Sequence, residues 1–424
     1  MKTLEILGKN RSDTYTKTRI CCRAVIVREG RILLSHEKAT GWRLIPGGGL
    51  EDGETPEDCV VREVEEETGL IVRPAEQFLT LHEYYEEYRY TSHYYICEAA
   101  GEGQMHLTDA EKDRGLVPEW LPLPEAVDLF SKHESYAAVS EEKRGTYQRE
   151  HTALLEYMNY LLEKTLPENI FRLLDGKAYV PDHIGLSGSK IMIFEDGVLK
   201  IVPCSMARED TVRMMKWLEG KIPVPKVIAC ERDDEYQYLL MSRVSGQMSC
   251  DEYFLEHPAE LLNILARALK MLWTVDISGC PRIRDLDTEL EEAKSRVENG
   301  LVDVGDAEPA TFGEGGFKDP EALLEWLYAN RPDYEPVLSH GDFCLPNIIL
   351  NDGEVSGFID LDDAGVGDKW RDIALCHRSL KHNFDGTYGG RIYPDFDPDM
   401  LFDALGIDPD RDKLRYFMLL DELF

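Results

Sequence analysis

The chain has 424 residues, of which 43% are hydrophobic, and carries a formal net charge of −34. That length is too great for one ordinary core and predicts two or three domains. The acidity argues against nucleic acid or an anionic membrane as partner and favours cationic small molecules. Ten cysteines without a Cys-x-x-Cys pair outline no zinc framework and fit a reducing cytoplasm. No apolar run approaches about 18 residues, so no membrane span is expected, and the N-terminus lacks the apolar core of a signal peptide.

In chain order, the first half reads as mixed α/β. CCRAVIVREGRILLSHE predicts a hairpin, two apolar strands about a Glu29-Gly30 turn. Thr55 to Glu67 predicts a helix, with Thr55 as N-cap, Pro56 in the first turn and Gly69 just past the end. Tyr90 to Cys97 alternates as a strand does, and His151 to Leu162 is an amphipathic helix that closes this half. EKTLPE (163–168) reads as a linker, so the expected domains are 1–162 and 169–424.

Beyond it, IMIF, Asp196-Gly197 and VLKIV predict a hairpin whose turn uses positive φ. A helix is expected over Met206 to Gly220 and a strand over Tyr238 to Val244. From Pro258 the pattern is mainly helical, interrupted by NIIL, an Asn351-Asp352-Gly353 turn and EVSGFID. A small β lobe followed by a larger helical lobe is a kinase-like order.

The run GGLEDGETPEDCVVREVEEETGL sets Glu54 on a loop and Glu63, Glu66 and Glu67 on the helix. Positions i, i+3 and i+4 share a helical face. Three carboxylates there repel one another unless a divalent cation is present, and hard oxygen donors favour magnesium or manganese. Arg62 is placed to anchor one of them, and glycines such as Gly48 let the backbone turn beside the metals. This segment resembles a Nudix box at every fixed position. The resemblance implies an α/β/α sandwich and hydrolysis of a nucleoside diphosphate linked to a further moiety. Glu63, Glu66 and Glu67 would be metal ligands, Glu66 also catalytic, and Gly48, Glu54 and Arg62 supporting. The base in this family often comes from a later loop, where Glu111 and Glu119 are candidates.

His340-Gly341-Asp342 followed by Asn347 gives H-x-D-x4-N, the spacing by which a kinase loop offers a carboxylate to the acceptor hydroxyl and an amide oxygen to magnesium. Asp360, ending an apolar strand, supplies a second metal carboxylate. Lys200 lies on the strand after the Asp-Gly turn, within reach of nucleotide phosphates. Gly185-Leu186-Ser187-Gly188-Ser189 is a small-residue turn suited to covering them.

WLEGKIPVPKVI, LLMSRVSG, DISGCP, HGDFCLPN, GFID, DKWRDIAL and LLDELF resemble the aminoglycoside 3'-phosphotransferases over about 185–424. The resemblance implies a bilobal protein-kinase-like fold, ATP or GTP with magnesium, and phosphorylation of an antibiotic hydroxyl. Asp342 would be the base, Asn347 and Asp360 magnesium ligands, and His340 a brace for the loop. Ser187, Gly188, Ser189, Lys200, Ser242 and Val244 would bind nucleotide. Asp421, Glu422 and the end of Phe424 would meet the ammonium groups of the drug.

Four departures from the family pattern stand out. The helix glutamate that pairs with the lysine is replaced by Thr211, with Glu209 the nearest substitute. After Asp360 come Leu361, Asp362 and Asp363 in place of Gly-Arg. His382 and Asn383 occupy acidic drug-contact positions, and Val198 stands where some relatives place an aromatic residue. The expected protein is a cytoplasmic bifunctional enzyme of two domains, α/β then α+β. The alternatives are a Nudix half that only senses nucleotide, and a kinase half that phosphorylates another amine-bearing molecule. The sequence sets neither oligomeric state nor nucleotide preference.

Overall fold

The computed structural model describes residues 2–174, 176–182, 189–208 and 210–424. The chain divides into two compact units, Met1–Val180 and Pro181–Phe424.

The first unit is built on a five-stranded sheet, in the order Lys2–Leu7, Leu70–Tyr85, Tyr88–Glu102, Lys17–Val25, Gly47–Gly49. Lys17–Val25 runs parallel to Tyr88–Glu102 and antiparallel to Gly47–Gly49. It is buried over Cys21–Val25 because both of its faces are covered. Cys22 and Ala24 pack with Cys59, Val60 and Val64 of the helix Pro56–Thr68. On the other side Val25, Leu79 and Leu81 pack with Phe130, Ala153 and Leu154 of two further helices, Leu123–Ser131 and Glu141–Thr165. The result is the α/β/α sandwich expected from the sequence.

The predicted hairpin forms only in part. Val27–Arg28 pairs with Arg31–Ile32 about Glu29 and Gly30, both at positive φ. The preceding strand, however, joins the large sheet. Arg31–Glu37 joins a smaller one with Trp42–Leu44 and Leu116–Pro122. The helix after Thr55 matches its signals closely: the Thr55 hydroxyl accepts from the Asp58 amide, Pro56 opens it and Gly69 ends it at φ +70°. The last helix of this unit is longer than its amphipathic stretch, so 163–165 are helical. A further helix, Glu168–Leu174, buries Ile170 and Leu174 before the boundary at Val180.

The second unit opens with a sheet that includes, in order, Lys190–Phe194, Gly197–Pro203, Tyr236–Ser242 and Val227–Arg232. Lys190–Phe194 and Gly197–Pro203 form the predicted hairpin. Neither Asp196 nor Gly197 has positive φ, so the turn takes another form. The Asp352-Gly353 turn does use positive φ at both residues. The helix read over Met206 to Gly220 spans Thr211–Leu218. The remaining core is helical, chiefly Pro258–Trp273, Leu286–Glu298, Pro320–Ala329, Lys369–Asp385 and Arg411–Asp421. Between these helices the hairpin Ile348–Asn351/Glu354–Phe358 and the strand pair Pro336–Ser339/Gly365–Asp368 present the kinase-like loops. Among the described residues no helix is long and apolar enough to cross a membrane.

Candidate functional site

In the first unit, Arg62 is the hub of the acidic helix. Its Nε and Nη2 donate to the two carboxylate oxygens of Glu54 at 2.8 and 2.9 Å. Nη1 donates to Glu63 at 2.9 Å and Glu66 at 3.2 Å, and Nη2 also reaches the Gly49 carbonyl at 3.1 Å. This bidentate clamp holds the Glu54 carboxyl below the usual carboxylate range. Glu67 has other partners. It accepts from the Ser35 hydroxyl at 2.6 Å and the Gly47 amide at 3.3 Å, and burial pushes its carboxyl up to about 7.

Among the described residues no three acidic, His or Cys side chains stand grouped as a metal cluster. Arg62 holds Glu63 and Glu66, while Ser35 and Gly47 hold Glu67; the Glu63 carboxylate lies against the neighbouring Gly48. The donors nevertheless fit a hard divalent cation: all are carboxylate oxygens, and Gly48 leaves the room Glu63 occupies. A Cβ at Gly48 would collide with the Glu63 carboxylate. Burial raises the Glu63 and Glu67 pKa values, and a bound cation would favour their charged forms. Beside the end of this helix lies a cleft of about 390 Å³, lined in part by Leu33, Thr68, Leu70, Met105 and Trp120.

The two later-loop glutamates have other partners. Glu119 accepts from Arg43 Nε at 2.6 Å, which lowers its pKa. Glu111 caps its own helix, accepting from the Thr108 amide and hydroxyl at 2.7 and 2.8 Å. Sequence reasoning missed Ser35, which lies on a strand far from the box and has no motif of its own.

In the second unit the loop after Pro336–Ser339 is fastened by Asp372, a fully buried carboxylate on Lys369–Asp385. It accepts from Ser339 Oγ at 2.9 Å, the His340 amide at 2.8 Å and the Gly341 amide at 3.0 Å. His340 Nε2 donates to the Ile359 carbonyl at 2.9 Å, while Nδ1 accepts from the Asp342 amide at 3.3 Å. That places His340 as a strut between two loops. Gly341 has φ +82°, and a Cβ there would meet the Asp363 carbonyl. Asn347 Nδ2 donates to the Asp342 carboxylate at 2.8 Å and carbonyl at 3.0 Å. With its nitrogen so committed, the amide oxygen of Asn347 is the atom available to a cation.

Asp360 adopts φ +55°, a left-handed conformation uncommon outside glycine. Lys200, 12% exposed, donates to Asp360 at 2.8 Å and to Asp362 at 2.7 Å. Burial works against its charge, but the two carboxylates outweigh it and leave its pKa above the ordinary lysine value. Asn347 and Asp360 thus supply oxygen donors of the kind a magnesium ion takes.

The remaining sequence-derived residues are placed as follows. Ser187, Gly188 and Glu209 lie outside the described residues. Ser189 immediately precedes Lys190–Phe194. Ser242 ends the strand beside Gly197 and accepts from the Lys226 amide at 2.9 Å. Val244 packs against Gly357. Asp421 is paired with Arg371 (3.5 Å) and Arg378, and Glu422 with Arg378 at 3.5 Å. The ring of Phe424 lies beneath Arg284, Arg296 and Arg371, and its carbonyl accepts from Arg296. The acidic C-terminus therefore already has cationic partners. His382 pairs with Glu308 at 2.9 Å, bringing in a carboxylate that no motif announced.

The fold and these loops define a small-molecule kinase with a second, Nudix-type domain ahead of it. The phosphotransferase enzyme family model matches residues 193–417 and the NUDIX domain model residues 17–142. Similar curated proteins include the aminoglycoside 3'-phosphotransferase of Enterococcus faecalis, 43% identical over 50% of this chain and 76% of that protein. Those of Campylobacter jejuni and Niallia circulans are 36% and 33% identical. They align with 54% and 61% of this chain and 85% and 97% of their own lengths. A crystal structure of an aminoglycoside-3'-phosphotransferase of type VIII superposes with a TM-score of 0.50 at 25% identity, over 61% of this chain and 98% of that one. The chain belongs to the phosphotransferase enzyme family and is a phosphotransferase carrying a Nudix hydrolase domain.

Proposed function

We propose that the second unit transfers the γ-phosphoryl group of ATP or GTP to a hydroxyl of an aminoglycoside, and that the first hydrolyses a nucleoside diphosphate derivative. The observation that carries the first reading is the Asp342 carboxylate, oriented by Asn347 on a loop fastened by His340 and Asp372. So held, Asp342 accepts the proton of the attacking hydroxyl at the carboxylate oxygen that Asn347 does not hold. Lys200 neutralises phosphate charge, and Asn347 and Asp360 would hold magnesium. When bound, magnesium spreads the charge of the transferring group. The curated relatives support an aminoglycoside as acceptor. The Arg-paired state of Asp421 and Glu422 means that a cationic drug must share or displace Arg378.

In the first unit Glu63, Glu66 and Glu67 would hold magnesium or manganese. When bound, the metal lowers the pKa of a water that attacks the diphosphate. Arg62 and Glu54 keep the helix carboxylates in register, and the cleft beside Trp120 is suited to the variable moiety.

The test incubates the chain with ATP or GTP, magnesium and an aminoglycoside panel and reads acceptor masses. One added phosphoryl group is expected. Asp342→Ala should lower transfer about 10²–10⁴-fold. Transfer at the wild-type rate by that variant refutes the assignment of Asp342.

A further inference from the structure

Lys200 is held by one carboxylate that is free to turn away and one that is not. Asp360 is 42% exposed, at the edge of the site. Asp362, with its side chain 36% exposed, differs in being held by further bonds. Its second carboxylate oxygen accepts from the Thr211 hydroxyl at 2.8 Å, and its carbonyl accepts from Arg282 Nη1 at 2.5 Å. The same Arg282 nitrogen takes the carbonyls of Leu361 and Ala364 at 3.2 and 3.0 Å. Its other face grips Asp210, which precedes the helix Thr211–Leu218, at 2.8 and 2.6 Å. Arg282 thus ties the start of that helix to the loop bearing Asp362, with Thr211 closing the link.

An ammonium group has three donors. If Asp360 turns to a cation, Lys200 loses one partner and keeps Asp362, leaving two donors for phosphate oxygens. A buried lysine without a fixed counter-charge would be drawn out of place. We propose that Asp362 is the positioning carboxylate of Lys200, supplied by the metal-binding loop in place of the following helix, with Thr211 and Arg282 holding it. The threonine at the expected glutamate position is then the other half of an exchange: the helix gives up its carboxylate and receives the loop's as a hydrogen-bond acceptor. This rests on Lys200 being the phosphate clamp of the proposed kinase.

The test measures ADP formation from ATP and magnesium by the full chain, with an aminoglycoside and with water as acceptor. Glu66→Gln and Glu67→Gln are present throughout to silence the first unit. Asp362→Asn keeps the shape and removes the charge. It should lower kcat about 10–100-fold, the scale of one charge-assisted hydrogen bond, with the aminoglycoside KM unchanged. Thr211→Val should give a smaller loss in the same direction. The double exchange Thr211→Glu with Asp362→Gly should recover at least tenfold over Asp362→Gly alone, which a merely structural aspartate would not permit. Wild-type kcat in Asp362→Asn, or no recovery in the double variant, overturns the proposal. ADP with water but with no aminoglycoside removes the acceptor reading and leaves the variants to decide this one. No ADP with either acceptor overturns both.

Discussion

Removing the Asp372 carboxylate should loosen the catalytic loop more than any single surface change could. In Asp372→Ala the His340 amide loses its acceptor at 2.8 Å, and the Ser339 hydroxyl loses one at 2.9 Å. The Gly341 amide loses one at 3.0 Å but keeps Ser339 Oγ at 3.1 Å. A stranded buried donor costs about 1–3 kcal/mol. One amide fully stranded and two donors partly so sum to about 3 kcal/mol, a large part of a domain's usual 5–15 kcal/mol. At about 1.4 kcal/mol per factor of ten, amide exchange in 336–345 should quicken about 100-fold. With an m-value near 3 kcal/mol/M, the urea midpoint of this unit should fall by about 1 M. Because the same bonds orient Asp342, kcat should fall about 100-fold, as expected for a misplaced catalytic group. Hydrogen-exchange mass spectrometry, urea melts and a transfer assay read the three effects. Unchanged protection of 336–345 and a midpoint within about 0.3 M of wild type would refute the reasoning.

Two further perturbations test other parts of the molecule. Gly48→Ala brings a Cβ against the Glu63 carboxylate, so diphosphate hydrolysis should fall at least about tenfold while kinase activity persists; assays of both activities on one preparation check this, and equal loss in both would count against it. Glu335 is held to a pKa of about 2 by hydrogen bonds from Lys369 and Lys413. A depressed carboxylate stabilises the fold above its unfolded value near about 4.3 and stops doing so as pH falls towards 2. Its exposure limits the effect to about 1 kcal/mol or less. Between pH 5 and 2.5 the melting temperature of Glu335→Gln should therefore fall less than that of wild type; parallel slopes would show that the clamp contributes nothing.

The helix after Thr55 and the turn at Asp352-Gly353 were legible because cap and turn chemistry act within a few residues. The hairpin about Glu29-Gly30 was legible only at its tip, since its arms divide between two sheets and strand partners are chosen over long separations. The helix Thr211–Leu218 begins later than its pattern suggests, because Asp210 is drawn to Arg282, 72 positions away in the chain. Asp372 lies inside DKWRDIAL and Arg282 just after DISGCP, but neither string gives the residue's role; a buried Asp on a helix and an Arg in a loop become informative only when their distant partners are known.

By itself the sequence determined the two chemistries, the carboxylate-rich helix and the H-x-D-x4-N loop with Asp360, because each needs fixed residue types at fixed short spacings. It also marked Thr211 and Asp362-Asp363 as departures from the pattern, yet could not relate them. Only the tertiary structure brought Thr211 to 2.8 Å from Asp362, and Asp362 to 2.7 Å from Lys200. It likewise paired Glu67 with Ser35, and the C-terminal acids with Arg371 and Arg378. The physical reason is the same in each case: a buried charge must find a counter-charge or a hydrogen-bond donor, and the fold decides which distant side chain supplies it.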